Sequence, residues 1–250
     1  MKIFLAATGA IYSRQPDLLV NCDYILDSFY GLQKKDLPEY MRNCEMFLLD
    51  SGAFTFRQNA KKSVDWDKYV EDYINFINKY DIKYFFELDI DPIVGYEKVK
   101  EYRKKLEEGT GKKCIPVWHL SRGRNNFLEM CNEYDYVAIG GIAGSDKRSK
   151  KQRELINAFP WFIKEAHKRG AKIHGLGCTS MITLRRCHFD SVDSTSWLSG
   201  CKYGVAFKFN GKKMITRQKR KNQRMIDPTQ IDRNNFIEWC KFQQYAKSHL

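Results

Sequence analysis

The chain has 250 residues, with 43 Lys plus Arg against 30 Asp plus Glu and a formal charge of +13. That length suits one barrel-sized domain, expected here over residues 1–250, and leaves little room for a second. The surplus charge fits a polyanion partner, because each phosphate neutralised by Lys or Arg releases a counterion, and it fits equally a basic, soluble surface.

In chain order, apolar runs that read as buried strands lie at 3–7, 46–50, 83–89, 114–118, 135–140, 172–176 and 189–193, with 203–209 as a candidate eighth. Residues 8–45 fit this alternation least well. They hold polar turns, Pro16, Pro38 and an extra strand-like run at 24–29, and read as an irregular insertion. Helical patterns stand between most of the strands. In 64–79 the apolar residues Trp66, Tyr69, Val70, Tyr73, Ile74 and Ile77 form one helical stripe, with Ser63 as N-cap. Shorter stripes are Tyr96, Val99, Tyr102 and Leu106, then Phe127, Leu128 and Cys131. A longer helix is expected over 149–169, split or kinked at Pro160 and stopped at Gly170. Strands alternating with helices predict a mainly parallel sheet, and about eight strands predict a closed (β/α)₈ barrel, the TIM fold.

Eight cysteines, at 22, 44, 114, 131, 178, 187, 201 and 240, show no C-x-x-C or C-x-C pair. Their scatter predicts reduced thiols in a cytoplasmic protein and gives no metal site. The opening run Lys2 to Ala7 stops at Thr8-Gly9, short of a membrane span or signal core, so no membrane partner is expected. Residues 208–224 carry nearly all their charge with one sign, through Lys212, Lys213, Arg217, Lys219, Arg220, Lys221 and Arg224, after an Asn210-Gly211 hairpin turn. Unbroken positive charge repels itself, whereas a solvated face usually mixes signs, so these residues read as phosphate contacts.

Three apolar runs end in a carboxylate: Leu48-Leu49-Asp50, Phe86-Glu87-Leu88-Asp89 and Ser191-Val192-Asp193. In an α/β barrel the reacting groups come from the C-terminal ends of different strands, which makes these endings candidates for one active site. Asp193 can attack a sugar anomeric carbon, or simply cap the turn at Ser194 and Thr195. Asp190 competes with it, but three residues along an extended strand it faces the other way. After Asp50, Gly52 permits close backbone approach to a flat ligand and Phe54 can stack on it; an ordinary turn is the plainer reading. Asp89 and Asp91 are read as sharing one strand face, where a carboxylate can accept two hydrogens from a guanine-like edge. Gly140-Gly141 and His174-Gly175-Leu176-Gly177 are glycine-rich strand exits that match no nucleotide-cofactor motif, so no cofactor is implied. Gly140 and Gly141 can offer peptide groups to a base. His119 reads as an acid, a hydrogen-bond donor or a buried side chain.

Taken in order from about 46 to 197, these segments resemble the tRNA-guanine transglycosylase superfamily, and more closely its DNA-modifying, DpdA-like branch of bacteria and phages. Asp50-Ser51-Gly52-Ala53-Phe54 is similar to the family's aspartate-serine-glycine-glycine motif, Asp89 to its base-recognising aspartate, and Gly140-Gly141-Ile142-Ala143 to its glycine-glycine-leucine-alanine motif. His174-Gly175-Leu176-Gly177 is similar to the segment before its last functional strand, and Asp193 to its nucleophile. The resemblance implies a TIM barrel that exchanges guanine in a polynucleotide for a free 7-deazaguanine such as preQ0 or preQ1. Asp193 would form a covalent glycosyl intermediate and Asp50 would be the general acid and base. Asp89, Gly140, Gly141, Phe54, His119 and Gly175 would hold the base. The C-x-C-x-x-C zinc spacing of the tRNA enzymes is missing here, Ala53 replaces a glycine, and Thr195-Ser196-Trp197 replaces a proline-threonine-arginine. These departures favour DNA, with tRNA as the alternative substrate. An inactive nucleic-acid-binding barrel and an ordinary glycoside hydrolase are the competing classes, and a homodimer or protein partner stays open.

Overall fold

A computed structural model of the chain describes residues 1–9, 16–34, 36–52, 55–56, 64–141, 150–218 and 227–250. Its centre is a curled, all-parallel seven-stranded sheet, a half-barrel flanked by helices. The strands are β1 (Lys2–Ala6), β2 (Tyr24–Ser28), β3 (Met46–Asp50), β4 (Val117–Trp118), β5 (Tyr136–Ile139), β6 (Lys172–Gly175) and β7 (Ser191–Ser194), in the order β3-β2-β1-β7-β6-β5-β4. The register sets Phe4 beside Asp193, Ser28 beside Asp50 and His174 beside Ser191.

The edge strands β3 and β4 are joined through residues 84–87. Leu49 N–H donates to Tyr84 O at 3.0 Å and Phe86 N–H to Leu49 O at 2.9 Å. On the other side Glu87 N–H donates to Ile115 O at 3.0 Å and Ile115 N–H to Phe85 O at 2.8 Å. The run expected as a strand at 83–89 therefore makes parallel bridges on both sides without forming a continuous ladder.

The extra strand-like run at 24–29 is a strand, Tyr24–Ser28 (β2), and lies inside the sheet between β1 and β3 rather than in an irregular insertion; the candidate eighth strand at 203–209 is corrected. Residues 203–209 do not enter the sheet: Val205–Phe209 (β8) pairs antiparallel with Met214–Gln218 (β9) in a separate two-stranded hairpin. The physical reason lies in what each run covers. Tyr24, Ile25 and Leu26 are buried, as a strand packed on both faces requires, whereas β9 is almost wholly exposed. Asn210 N–H bonds to Lys213 O at 3.2 Å, so the expected hairpin turn is present, with Gly211 at φ +87°.

The helices are α1 (Phe29–Leu32), α2 (Glu39–Asn43), α3 (Trp66–Lys79), α4 (Asp91–Val94), α5 (Tyr96–Thr110), α6 (Gly123–Glu133), α7 (Lys150–Lys168), α8 (Met181–Arg186), α9 (Ser199–Tyr203) and α10 (Pro228–His249). Helix α3 is capped by Asp65, which accepts from Lys68 N–H at 3.0 Å; the expected cap, Ser63, lies outside the described residues. Helix α7 runs through Pro160 without a break and ends before Gly170, whose φ is +79°. Helix α10, unassigned by periodicity, begins at Pro228 behind an Asp227 cap. Gln243 ties it to the sheet, donating to Ile3 O at 2.8 Å and Tyr24 O at 2.9 Å. Among the described residues no helix is long and apolar enough to cross a membrane.

The apolar interior divides in two. The larger cluster packs helices on the outer face of the sheet, with Phe29, Tyr73, Phe127, Phe162 and Trp197 among its buried rings. The smaller one, Phe4, Ala6, Tyr24, Leu26, Leu48, Phe86, Ile115, Val117 and Ala138, fills the concave face. Alternate residues of each strand thus meet inside the curl, and the residue following the inner apolar layer emerges at the C-terminal rim.

Candidate active site

Asp50, Asp89 and Asp193 converge. Asp50 feels the negative charges of both Asp89 and Asp193, and its carboxyl is pushed up to about 7, first by burial and then by Asp89. Gly52 N–H, donating to Asp50 Oδ2 at 2.9 Å, acts in the opposite direction. A glycine is needed at that turn: φ is +87°, and a Cβ there would lie 2.5 Å from Tyr30 Cβ. Asp50 therefore exchanges a proton near neutrality, which suits it to acid and base work.

Asp193 leaves β7 on the concave face and is 9% exposed. Gly177 N–H donates to its Oδ1 at 2.6 Å, and His174 Nε2 stands 3.3 Å from the same oxygen. Ser194, next in the chain, receives Thr179 Oγ1 at 3.1 Å and Ser196 N–H at 3.0 Å. The turn that follows is therefore held by Ser194, not by Asp193. Trp197 closes it from below, donating Nε1–H to Ala6 O at 2.9 Å.

Asp89 Oδ2 meets His119 Nε2 at 3.0 Å. His119 is buried against Gly140, where a Cβ would fall 2.5 Å from His119 Cε1. Gly140 is thus required by the histidine ring, and Gly141, at φ +83°, continues the turn beside it. Three of the anticipated base-pocket positions, Asp89, His119 and Gly140, form one contact group. Gly175 stands apart: its Cα faces Phe189 and Cys178 on the outer side, because it alternates with His174.

The pairing of Asp89 with Asp91 on one strand face is corrected. The chain turns at Ile90 into α4, so Asp91 begins a helix and both its oxygens accept from Arg122, at 2.8 Å each. Against burial, which pushes it up, Arg122 holds the Asp91 carboxyl below its ordinary range. Arg122 also reaches Glu87 at 2.8 Å, and Arg103 meets Glu87 at 2.6 Å. Glu87, fully buried, accepts Val117 N–H as well. This ion cluster fixes the chain on both sides of Asp89. Asp190 faces the other end of the sheet, accepting from Ile173 N–H at 2.8 Å with His167 Nε2 2.9 Å away.

Sequence reasoning assigns no role to His174, Ser191, Glu87 or Arg122. The available signal is polar residues at strand positions whose neighbours are apolar: His174 between Ile173 and Gly175, and Ser191 two residues before Asp193. Asp27 escapes the same reasoning; its Oδ2 accepts from Thr8 N–H at 2.9 Å and Thr8 Oγ1 at 2.7 Å, joining the ends of β1 and β2.

The hairpin cations Lys212, Lys213 and Arg217 are exposed, and none pairs with a carboxylate among the described residues. The Lys212 carbonyl accepts from Arg185 of α8 at 2.9 Å, which sets the turn against that helix. Lys208, by contrast, is paired with Glu238 at 3.3 Å. Phe54, Lys219, Arg220, Lys221 and Arg224 lie outside the described residues. No group of metal-ligating side chains occurs among the described residues. No family model matches the chain, and no curated protein matches it significantly.

Proposed function

We propose that the chain is a DNA-guanine transglycosylase that exchanges guanine for a 7-deazaguanine base such as preQ0 or preQ1, within an eight-stranded barrel. Residues 84–87, bridged to both edges of the seven-stranded sheet, are the natural eighth strand. The observation that carries the function is the convergence of three strand-end carboxylates, with the Asp50 carboxyl pushed up to about 7 by burial and by Asp89. Two carboxylates with divided protonation are what a double-displacement at a sugar carbon requires.

In the first half-reaction Asp193 attacks C1′ as the C1′–N9 bond breaks. The electron pair leaves with guanine, and protonated Asp50 supplies the proton. In the second, ionised Asp50 takes the N9 proton of the incoming base, which attacks C1′ and releases Asp193. The proton taken up equals the proton given, so Asp50 returns to its starting state. Asp89 receives the donor edge of the base while His119 holds the Asp89 carboxylate in place, and a base in a duplex must first be flipped out, at a cost of a few kcal/mol. Lys212, Lys213 and Arg217 supply the unpaired positive charge for flanking phosphates.

The test is exchange of labelled guanine into DNA and, separately, into tRNA, with Asp193→Ala as control. Entry into DNA that depends on Asp193 supports the proposal. Entry only into tRNA moves the substrate while keeping the chemistry. Binding to both polymers with no label in either favours a nucleic-acid-binding barrel and rejects the enzyme.

A further inference from the structure

The concave face of the sheet contains one continuous polar thread through its apolar packing. Tyr136 hydroxyl bonds to Ser191 Oγ, Ser191 Oγ lies 2.6 Å from His174 Nδ1, and His174 Nε2 lies 3.3 Å from Asp193 Oδ1. His174 and Ser191 are fully buried. Phe4 and Phe86 face the imidazole, with ring centroids 6.0 and 5.4 Å away. At the far end Tyr136 lines a cavity of about 220 Å³ with Lys2 and Lys172 at the N-terminal ends of their strands.

The directions of these bonds follow from the chemistry of the groups. An ionised carboxylate only accepts, so the His174 proton that meets Asp193 sits on Nε2. In neutral imidazole Nδ1 must then accept, and the Ser191 hydroxyl donates to it. Ser191 Oγ in turn accepts from the Tyr136 hydroxyl. Burial pushes the Tyr136 phenol up, which keeps it a donor. Each member is satisfied only while its neighbours are present.

Both polar contacts on Asp193 go to one oxygen. Gly177 N–H and His174 Nε2 meet Oδ1, and among the described residues Oδ2 receives no hydrogen bond. We propose that His174, oriented by Ser191 and Tyr136, is the positioning residue for the nucleophile, holding Oδ1 so that Oδ2 is the atom that bonds to C1′. This rests on the transglycosylase reading and says which atom of Asp193 reacts and what aims it. The pair of the C1′–N9 bond leaves on guanine as the Oδ2–C1′ bond forms. A site of this size filled with apolar side chains would avoid desolvating an imidazole and two hydroxyls, so the thread needs a reason beyond packing.

The experiment measures kcat and KM for guanine exchange, melting temperature, and the ¹⁵N signals of His174, in wild type, Tyr136→Phe, Ser191→Ala, His174→Gln and His174→Ala. The expected pattern is an Nε2–H tautomer in wild type and kcat losses that grow toward the nucleophile. These are about 3-fold for Tyr136→Phe, about 10-fold for Ser191→Ala and about 100-fold for His174→Ala, the scale of a misaimed reacting group. His174→Gln, which still offers an N–H, recovers about 10-fold over alanine, and KM for DNA stays within about 2-fold throughout. An Nδ1–H tautomer, a kcat for Ser191→Ala equal to wild type, or losses that merely follow melting temperature would overturn the positioning role alone. No exchange by wild type on any polymer would instead overturn the transglycosylase reading, and this role with it.

Discussion

Replacing Asp50 with asparagine tests the site through stability, without any substrate. The Asp50 carboxyl is raised from 3.8 to about 7. At about 1.4 kcal/mol for each tenfold change in proton affinity, ionising it in the folded protein costs about 4 kcal/mol more than in the unfolded chain. The sign follows from proton counting. Between pH 4 and 7 the folded state binds the proton that the unfolded state has released, so stability falls as pH rises. It levels off above about 7, where both states are ionised. The Asp50→Asn side chain is neutral at every pH and keeps the volume of the original. The variant should match wild type near pH ~3.5 and exceed it by roughly 2–4 kcal/mol at about pH 8, the lower figure if protein and water relax around the charge. Urea unfolding at closely spaced pH values reads this directly. A difference between wild type and Asp50→Asn that stays flat from about pH 4 to about pH 8 would refute the claim that the Asp50 carboxyl is raised beside Asp89 and Asp193.

Other outcomes follow from the same geometry. Gly140→Ala places a Cβ 2.5 Å from His119 Cε1, so the ring and its Asp89 contact must move; a rise in KM for the incoming base of about 10-fold is expected, with about 1–3 kcal/mol lost in urea unfolding. Joint neutralisation of Lys212, Lys213 and Arg217 should flatten the log–log salt dependence of DNA binding by about 2 to 3 slope units, read by fluorescence anisotropy; an unchanged slope would remove the hairpin from the interface. Arg122→Leu leaves Asp91 without its cation and buried Glu87 with Arg103 as its one charged partner, and should cost about 3–5 kcal/mol in chemical denaturation, because removing a buried partner leaves charge uncompensated.

The alternation of strands and helices was legible in the sequence because apolar runs and helical stripes have different periods. Trp66–Lys79 and Tyr96–Thr110 appear where the stripes of Tyr69, Val70, Tyr73 and of Val99, Tyr102, Leu106 place them. The strand at 24–28 was visible as a run but its place inside the sheet was not, since Asp23, Asp27 and Ser28 interrupt an apolar core of only three residues. Its Asp27 is absorbed by Thr8, a contact 19 residues away that no local pattern reveals. The 203–209 run misled for the opposite reason. Phe207 and Phe209 alternate like core residues, but they pack on Trp239, Phe242 and Tyr245 of α10, a helix that periodicity does not announce. Asp50, Asp89 and Asp193 could be nominated because strand ends are where a parallel sheet presents chemistry. His119 could be nominated too, but its pairing with Asp89, and those of His174 and Gly177 with Asp193, could not, because these partners come from other parts of the sheet.

On the transglycosylase proposal, the donors around the three carboxylates explain how they would divide the work. Like charges gathered at one rim destabilise each other, and the arrangement persists only if each is separately compensated or one is neutral. Asp89 meets the His119 imidazole, and Asp193 meets the His174 imidazole together with a backbone N–H. Asp50 is met by backbone N–H groups of its own turn and, among the described residues, by no side-chain donor, while Asp89 and Asp193 both press on it. The proton therefore settles on Asp50 near neutrality. Asp193 and Asp50 differ less in their own chemistry than in which of them the neighbouring strands supply with an imidazole. On that argument the proposed division between nucleophile and acid comes from β6, which contributes His174. Moving an imidazole to Asp50 should bring its raised carboxyl back toward the ordinary range before it disturbs the fold.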